Sequence, residues 1–230
     1  MRPISPAVWA ALAVGVLSAM ACLPSALAHG YLQDPVSRNY AARLIGEYYC
    51  HHCGQGGGQW KQPDVCGNPF QDSPPINFTT RFYGFRATYT EGQDVNVTIG
   101  ITTNHGGRMS LRVCPHARDQ ISQSCFDTPA HQMRRVHTNP QYNNKLYWYV
   151  RPGDVNITQT FRLPAGVSCA GGCVLQWWWV AYQFCYMPCG SDADDVPGEC
   201  GRNLNFPVGQ CTGGLLQTEQ FNNCAGALLG

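Results

Sequence analysis

Cysteine is the residue that most constrains how this chain can fold. Thirteen cysteines occur in 230 residues, a content that is rare in reducing compartments and common in secreted domains held together by disulfides. The chain also contains 25 glycines and 16 prolines, which disfavour long helices. The cysteine content therefore indicates a loop-rich domain that folds in an oxidising environment.

The start of the chain has the pattern of a secretory signal peptide. A basic start and a short apolar stretch lead to an A-x-A cleavage sequence at residues 26–28. We therefore predict a signal peptide at 1–28, a single mature domain at 29–230 and secretion to the extracellular space, with an uncleaved anchor as the alternative. Cleavage would remove Cys22, leaving an even set of twelve cysteines, and would make His29 the first residue.

The charge of the chain is low and balanced. Charged residues make up 13% of the sequence and the formal net charge is +1, whereas a typical soluble domain has about 25% charged residues. Such a chain lacks the polybasic character of proteins that bind nucleic acid or a membrane surface, so we expect neither partner. Three N-x-[ST] sequons, at Asn77, Asn96 and Asn156, offer sites for solubilising glycans.

The cysteine pairing is open at this level, because twelve cysteines permit many connectivities. Cys114/Cys125 and Cys169/Cys173 are close enough in the chain to be candidates for local pairs. The run Cys50-His51-His52-Cys53 superficially resembles a zinc knuckle. In a secreted domain a disulfide is the favoured state of such cysteines, and a disulfide sulfur is not a thiolate ligand.

Period-two hydrophobicity begins at residue 95 and identifies strands. Apolar and polar residues alternate over 95–101, and the pattern resumes over 109–113 after a turn that contains His105. A second alternating run covers 155–163. Residues 146–150 and 173–184 are rich in β-branched and aromatic residues and are further strand candidates.

No segment shows a sustained helical stripe, and the region from His29 to Phe82 has little periodicity. We therefore predict an all-β fold, an immunoglobulin-like or fibronectin-III-like antiparallel β-sandwich with long disulfide-stapled loops. His29 to Phe82 is expected to be one of the loop-rich regions.

Histidine carries the strongest chemical signal in the sequence, since the nucleophile-elbow, P-loop and H-E-x-x-H motifs are all missing. A mature chain that begins with His29 offers a metal both its α-amine and its imidazole. One further imidazole would complete a three-nitrogen site, a ligand set that suits Cu(II). An α-amine pKa of about 7.7–8 makes the neutral, ligating form accessible near physiological pH. His116, His131 and His137 are expected on solvated loops without a role.

Several ordered segments resemble a known family. His29 to Arg38 (HGYLQDPVSR) resembles the opening of the mature lytic polysaccharide monooxygenases, and the rest of the chain resembles auxiliary activity family fifteen, described on chitin and cellulose. The matching segments are Tyr49-Cys50, Gly58-Gln59-Trp60, Thr103 to Gly106, Leu111 to Pro115, Cys173 to Trp177 and Glu219 to Ala225.

The resemblance implies a copper site and the residues around it. His29, through its amine and ring, and His105, through its ring, would form the histidine brace that holds one copper ion. Phe221 falls on the axial position, where it would shield the metal without ligating it. Glu219 falls on the outer position that orients an oxygen species, with an ordinary surface acid as the alternative. We predict that the two histidine rings approach each other near Phe221 at the solvent-exposed end of the sandwich.

Two single positions and one run of residues depart from the family pattern. Thr103 stands where family members usually have Ala, and its hydroxyl would alter access to the metal or hold a water. Thr218 replaces a Gln. Residues 177–183 (WWWVAYQ) replace the usual Trp-Arg-Tyr-x-Ala-Gly-Asn run, which indicates a remodelled loop.

Function follows from the resemblance as an expectation. It implies a monomeric copper monooxygenase that uses O2 or hydrogen peroxide and an external electron donor to cleave β-1,4 bonds of insoluble chitin or cellulose. Tyr31, Tyr48, Tyr49 and Trp60 are candidates to stack on sugar rings, although loop aromatics are as often packing residues. The alternative is a secreted, non-catalytic chitin- or cellulose-binding protein of the same fold.

Overall fold

A computed structural model of the chain describes most of the predicted mature domain. The described residues are 29–51, 53, 55, 64–70, 76–84, 87–116, 120–168, 171–202 and 207–229. The predicted signal peptide, Trp60 and Cys169 lie outside this set. In the part of the chain that is described, none of the helices has the length and hydropathy needed to span a bilayer.

Nine strands and two short α-helices make up the regular structure of the described residues. The strands are β1 (His29–Asp34), β2 (Ala87–Tyr89), β3 (Asp94–Thr103), β4 (Arg108–Cys114), β5 (Arg134–Arg135), β6 (Trp148–Tyr149), β7 (Asn156–Arg162), β8 (Cys173–Val180) and β9 (Gln220–Leu229). The α-helices are α1 (Arg38–Leu44) and α2 (Gln123–Asp127), and two 3-10 helices cover Pro129–His131 and Gly214–Gln217.

The strands form two sheets, and the predicted β-sandwich is confirmed. One sheet has the order β1-β3-β7-β5 and the other the order β2-β9-β8-β4-β6. Every pair is antiparallel except β2 with β9, which is parallel. The alternating run of β3 behaves as predicted, because its residues at 95, 97, 99 and 101 are buried in the core and those at 94 and 96 are exposed.

Aromatic residues fill much of the space between the sheets. Trp177 and Trp179 of β8 are fully buried, as is Phe161 of β7, which packs against Trp148 with ring centroids 5.3 Å apart. Both faces of β8 are buried, because the loop at 64–68 covers its outer face, where the Gln176 side chain donates to the Val65 carbonyl at 2.8 Å. The strand ends at Val180, four residues earlier than the sequence predicted.

The predicted loop-rich region from His29 to Phe82 also contains two regular elements that the sequence did not predict. The region contains β1 and α1, and the helix begins after Ser37, whose hydroxyl accepts a hydrogen bond from the Tyr40 amide. Arg38 and Asn39 are buried in this helix, with the Arg38 guanidinium donating to the Phe78 carbonyl at 2.8 Å. The helix has no apolar stripe because polar side chains occupy part of its buried face.

Disulfides link the long loops to the sheets and to one another. Five bridges lie among the described residues: Cys50–Cys53, Cys66–Cys224, Cys114–Cys125, Cys185–Cys211 and Cys189–Cys200. The predicted Cys114–Cys125 pair is confirmed. Cys173 is also disulfide-bonded, and the predicted Cys169–Cys173 pair stays a prediction. Because Cys50 is bonded to Cys53, this run offers no thiolate and cannot form a zinc knuckle.

Candidate metal centre

Strand pairing places His29 and His105 at the same end of the sandwich. His29 is the first residue of β1 and pairs with Thr103, the last residue of β3. His105 follows two residues later, in the turn that leads to β4. The Thr103 hydroxyl lies 2.9 Å from Nδ1 of His29, so this hydrogen bond restrains the His29 ring.

The two histidines differ in exposure. His29 is half-buried, whereas His105 is only 5% exposed. Burial lowers the pKa of His105, which favours the neutral imidazole, the form that binds metals. His29 is therefore partly accessible at this end of the sandwich and His105 is not, and the approach of the two rings to each other near Phe221 stays a prediction.

Trp179 of β8 packs against the residues that follow both histidines in the chain. Its indole Nε1 donates to the carbonyl of Gly106 at 2.9 Å. Next to His29, a Cβ on Gly30 would lie 3.1 Å from Trp179 Cζ3. Gly107 has φ 101°, and a Cβ there would lie 2.2 Å from the Val180 carbonyl. Only glycine therefore lets this turn lie so close to β8.

Sequence reasoning did not assign Trp179 a role at the site. Its position depends on the register of β8 against β4 and β9, which no local pattern reveals. The glycines that flank both histidines, Gly30, Gly106 and Gly107, are the signal that could have pointed to a bulky side chain underneath.

Phe221 is the second residue of β9 and lies next to Trp179, and Glu219 immediately precedes the strand. Phe221 is fully buried and pairs with Trp179 across the strands, with ring centroids 5.3 Å apart. Glu219 is 3% exposed, and its carbonyl accepts a hydrogen bond from the Ala181 amide at 3.0 Å. The alternative of an ordinary surface acid is therefore wrong.

Aromatic side chains continue outward from His29. The His51 ring meets the His29 ring edge-on with centroids 5.9 Å apart and stacks on Tyr49 at 5.4 Å. Tyr49 in turn contacts Tyr31 at 6.1 Å, and the Arg43 guanidinium lies 5.6 Å from the Tyr49 ring. Two of the candidate sugar-stacking residues, Tyr31 and Tyr49, therefore adjoin the site.

Of the other two candidates, only Tyr48 lies among the described residues. Tyr48 is half-buried and packs against the apolar cluster that contains Phe78 and Phe126, and Trp60 lies outside the described residues. One cluster of His and Cys within metal-binding distance occurs in the described part of the chain, Cys114, His116 and Cys125. Its two cysteines are bonded to each other, so it offers no thiolate ligand.

The fold and the site define a class of protein, a disulfide-stapled β-sandwich with a pair of histidines at one end, one of them at the predicted mature N-terminus. The chain matches a family model described as lytic polysaccharide mono-oxygenase, cellulose-degrading, over residues 29–226. The chain therefore belongs to the lytic polysaccharide monooxygenase family, and the resemblance noted in the sequence is confirmed.

Three solved structures are similar to the chain, and the one with the higher TM-score shows the same fold. The chain is similar to an auxiliary activity family fifteen lytic polysaccharide monooxygenase from Thermobia domestica in the Cu(I) state, with a TM-score of 0.64 and 21% identity over 87% of this chain and 98% of that chain. A chitin-binding domain from Burkholderia pseudomallei gives a TM-score of 0.44 and 13% identity over 88% and 100% of the two chains. The cellulose-active monooxygenase CelS2 in complex with copper gives a TM-score of 0.42 and 13% identity over 87% of this chain and 98% of that chain. No curated protein matches the chain.

Proposed function

We propose that the mature chain is a secreted, copper-dependent monooxygenase that cleaves β-1,4-linked chitin or cellulose. The observation that carries the proposal is the pairing of His29 with Thr103, which brings the first mature residue and His105 to one end of the sandwich. Family membership supports it, and the family match begins at residue 29, where the predicted signal peptide ends.

The donor set at this end fits copper. The His29 imidazole, the His105 imidazole and the His29 α-amine would supply three nitrogens, a ligand set that suits Cu(II). Before cleavage the His29 nitrogen belongs to a peptide bond, so removal of the signal peptide adds the third donor. Bound copper would supply the one-electron chemistry that activates O2 or hydrogen peroxide, with electrons from an external donor.

The buried residues around the histidines have supporting roles in this proposal. The Phe221 side chain has no donor atom, so it would not ligate the metal and would keep water from the buried side of the site. Glu219 is buried at the adjacent end of β9, and its carboxylate would position the oxygen co-substrate. Trp179 holds the His105 turn through the hydrogen bond from Nε1 to the Gly106 carbonyl.

The surface beside His29 is suited to a neutral polymer. Tyr31 and Tyr49 provide rings, and Leu44 and Ile45 at the end of α1 are 61% and 60% exposed. Val155, whose carbonyl accepts a hydrogen bond from Ile101 near the end of β3, is 63% exposed. Aromatic and apolar side chains of this kind can pack on the faces of sugar rings, and we assign them to polysaccharide contact.

Mass spectrometry of the products tests the proposal. The chain with His29 as its first residue, copper and a reductant should release oxidised oligosaccharides from chitin or cellulose. His29→Ala and His105→Ala should abolish the oxidised products. His116 is an exposed loop histidine, and His116→Ala is the matched control that should leave the products unchanged. Oxidised products that survive either substitution at His29 or His105 would contradict the assignment, and polysaccharide binding without oxidation would favour the non-catalytic alternative.

A further inference from the structure

The disulfide-closed run from Cys50 to Cys53 borders the histidine site. It offers no thiolate to a metal, but it carries His51, whose ring meets the His29 ring at a centroid distance of 5.9 Å with the planes 82° apart. Both histidines are half-buried. His51 therefore contacts the residue that would supply two of the three nitrogens in the proposed copper site, although it is not itself one of the proposed ligands.

The loop that carries His51 is attached to the start of β9 by hydrogen bonds. The backbone amide of Gln55 donates to the Gln220 carbonyl at 3.3 Å, and Oε1 of Gln55 accepts from the Asn222 amide at 2.6 Å. Gln55 is buried, so these bonds are protected from water. Gln220 and Asn222 flank Phe221 in the strand. The strand that carries Phe221 therefore also sets the position of this loop beside the site.

Two further features restrain the His51 side chain. The Cys50–Cys53 disulfide joins residues three positions apart in the chain, which leaves the backbone between them few conformations. The His51 ring also stacks on Tyr49, with the centroids 5.4 Å apart and the planes 18° apart. Tyr49 in turn packs against Tyr31 at 6.1 Å. The His51 ring is therefore held both through its backbone and through one of its faces.

The contacts that His51 and Thr103 make with the His29 ring would respond differently to a metal. The Thr103 hydroxyl is hydrogen-bonded to Nδ1, the ring nitrogen nearest to the α-amine, so this bond is lost if Nδ1 ligates. An edge-to-face contact depends on the faces and edges of the rings and needs no nitrogen lone pair, so the His51 contact can persist. After signal-peptide removal His29 would be a chain terminus, and termini are poorly ordered unless they are tied down.

We infer that His51 is a positioning residue of the proposed copper site. Its ring, held by the disulfide loop and by Tyr49, fixes the orientation of the His29 ring, so that the imidazole and the α-amine of His29 converge on one metal ion. The inference rests on the proposed function as far as the metal is concerned, whereas the packing of the two rings belongs to the metal-free chain and can be tested there.

Nuclear magnetic resonance of the metal-free mature chain tests the packing without copper. The carbon relaxation order parameter of the His29 ring measures the mobility of this ring. We expect the order parameter to fall in His51→Ala, which removes the neighbouring ring, and to stay close to the wild-type value in His51→Phe, which keeps a flat ring. His137→Ala is the matched control, because it removes a histidine ring that meets Tyr142 edge-on at 5.1 Å, beside β5 at the opposite edge of the sheet from β1.

Titration of the same variants with Cu(II) measures the effect on the metal. We expect His51→Ala to bind Cu(II) about tenfold more weakly than the wild type, as for other residues that orient a ligand, and to change the electron paramagnetic resonance spectrum of the bound ion. His51→Phe should restore both. Serine at both Cys50 and Cys53 releases the loop and should reproduce the loss of affinity, whereas serine at both Cys189 and Cys200, which opens another surface disulfide, should not.

An unchanged order parameter of the His29 ring, or an unchanged copper spectrum and affinity, in His51→Ala would overturn the inference. Losses in His51→Phe as large as those in His51→Ala would overturn it as well, because a nitrogen atom of His51 and not the packing of its ring would then be responsible. If the wild type bound no copper, the proposed function would fail instead, and the metal-free comparison would still decide whether His51 restrains the His29 ring.

Discussion

The hydroxyl of Thr103 lies 2.9 Å from Nδ1 of His29, across the last pair of the β1–β3 ladder. Nδ1 is the ring nitrogen nearest to the backbone nitrogen of the same residue. It is therefore the ring atom that can share a metal ion with the α-amine of His29. The Thr103 hydroxyl is hydrogen-bonded to this nitrogen, so metal binding through Nδ1 would require the hydrogen bond to break.

Thr103→Ala is predicted to strengthen copper binding. The net contribution of such a hydrogen bond is about 0.5–1.5 kcal/mol, which corresponds to an affinity gain of about twofold to tenfold when the competing bond is absent. Calorimetric titration of the mature chain with Cu(II) measures the change. Thr103→Ser keeps the hydroxyl and should retain the wild-type affinity. Weaker binding by Thr103→Ala would mean that the hydroxyl orients the ring for the metal.

Trp179→Phe is predicted to weaken both the fold and the metal site. The substitution removes the donor to the buried Gly106 carbonyl, at a cost of about 1–3 kcal/mol in the free energy of unfolding. Because Gly106 follows His105, the copper affinity should fall by about tenfold, as for other residues that orient a ligand.

The neighbouring tryptophan supplies the control for this prediction. Trp178 donates to the side chain of Gln220 at 3.0 Å and does not contact the histidine turn through this bond. Trp178→Phe should lower the melting temperature and leave the copper affinity unchanged. Equal copper affinities of the wild type and Trp179→Phe would show that Trp179 does not position the metal ligands.

Sequence periodicity predicted those parts of the fold that alternate in hydrophobicity. The run at 95–101 became β3 because one of its faces is buried and the other is exposed. By contrast, α1 buries Arg38 and Asn39 through hydrogen bonds, which a hydrophobic pattern does not record. Glu219 is likewise buried where its carbonyl accepts a hydrogen bond from Ala181, a residue distant in the sequence.

The candidate site was predictable only in part. The chemistry of an N-terminal histidine and the family resemblance pointed to His29 and His105. The Thr103–His29 hydrogen bond and the place of Trp179 arise from strand register and from packing between strands far apart in the chain.

Removal of the Cys66–Cys224 disulfide should destabilise the chain more than removal of Cys114–Cys125. The two bridges join residues separated by 158 and 11 positions. Loop-closure entropy then gives losses of roughly 5 and roughly 3 kcal/mol on replacement of each pair by alanine. Denaturant unfolding of the two double variants provides the comparison. Equal losses, or a larger loss for Cys114–Cys125, would show that local packing outweighs chain entropy.

Alkaline pH should destabilise the fold through Tyr182. This side chain is fully buried, and burial raises its pKa to about 12. A phenol whose pKa is higher in the folded state stabilises the fold fully below its unfolded pKa of about 10, and this contribution is lost as the pH rises from about 10 to 12. Tyr182→Phe should therefore show a smaller loss of unfolding free energy than the wild type over this interval. If the unfolding free energies of Tyr182→Phe and the wild type fell equally over this pH interval, the prediction would be contradicted.

The most direct test of the copper site compares two forms of the chain in a calorimetric titration with Cu(II). One form begins at His29 and the other has a single glycine before it, which converts the His29 nitrogen into a peptide amide. We predict tight one-to-one binding by the first form and, because one of three nitrogen donors is lost, an affinity lower by about a hundredfold or more for the second. Equal affinities would contradict the claim that the free His29 amine completes the site.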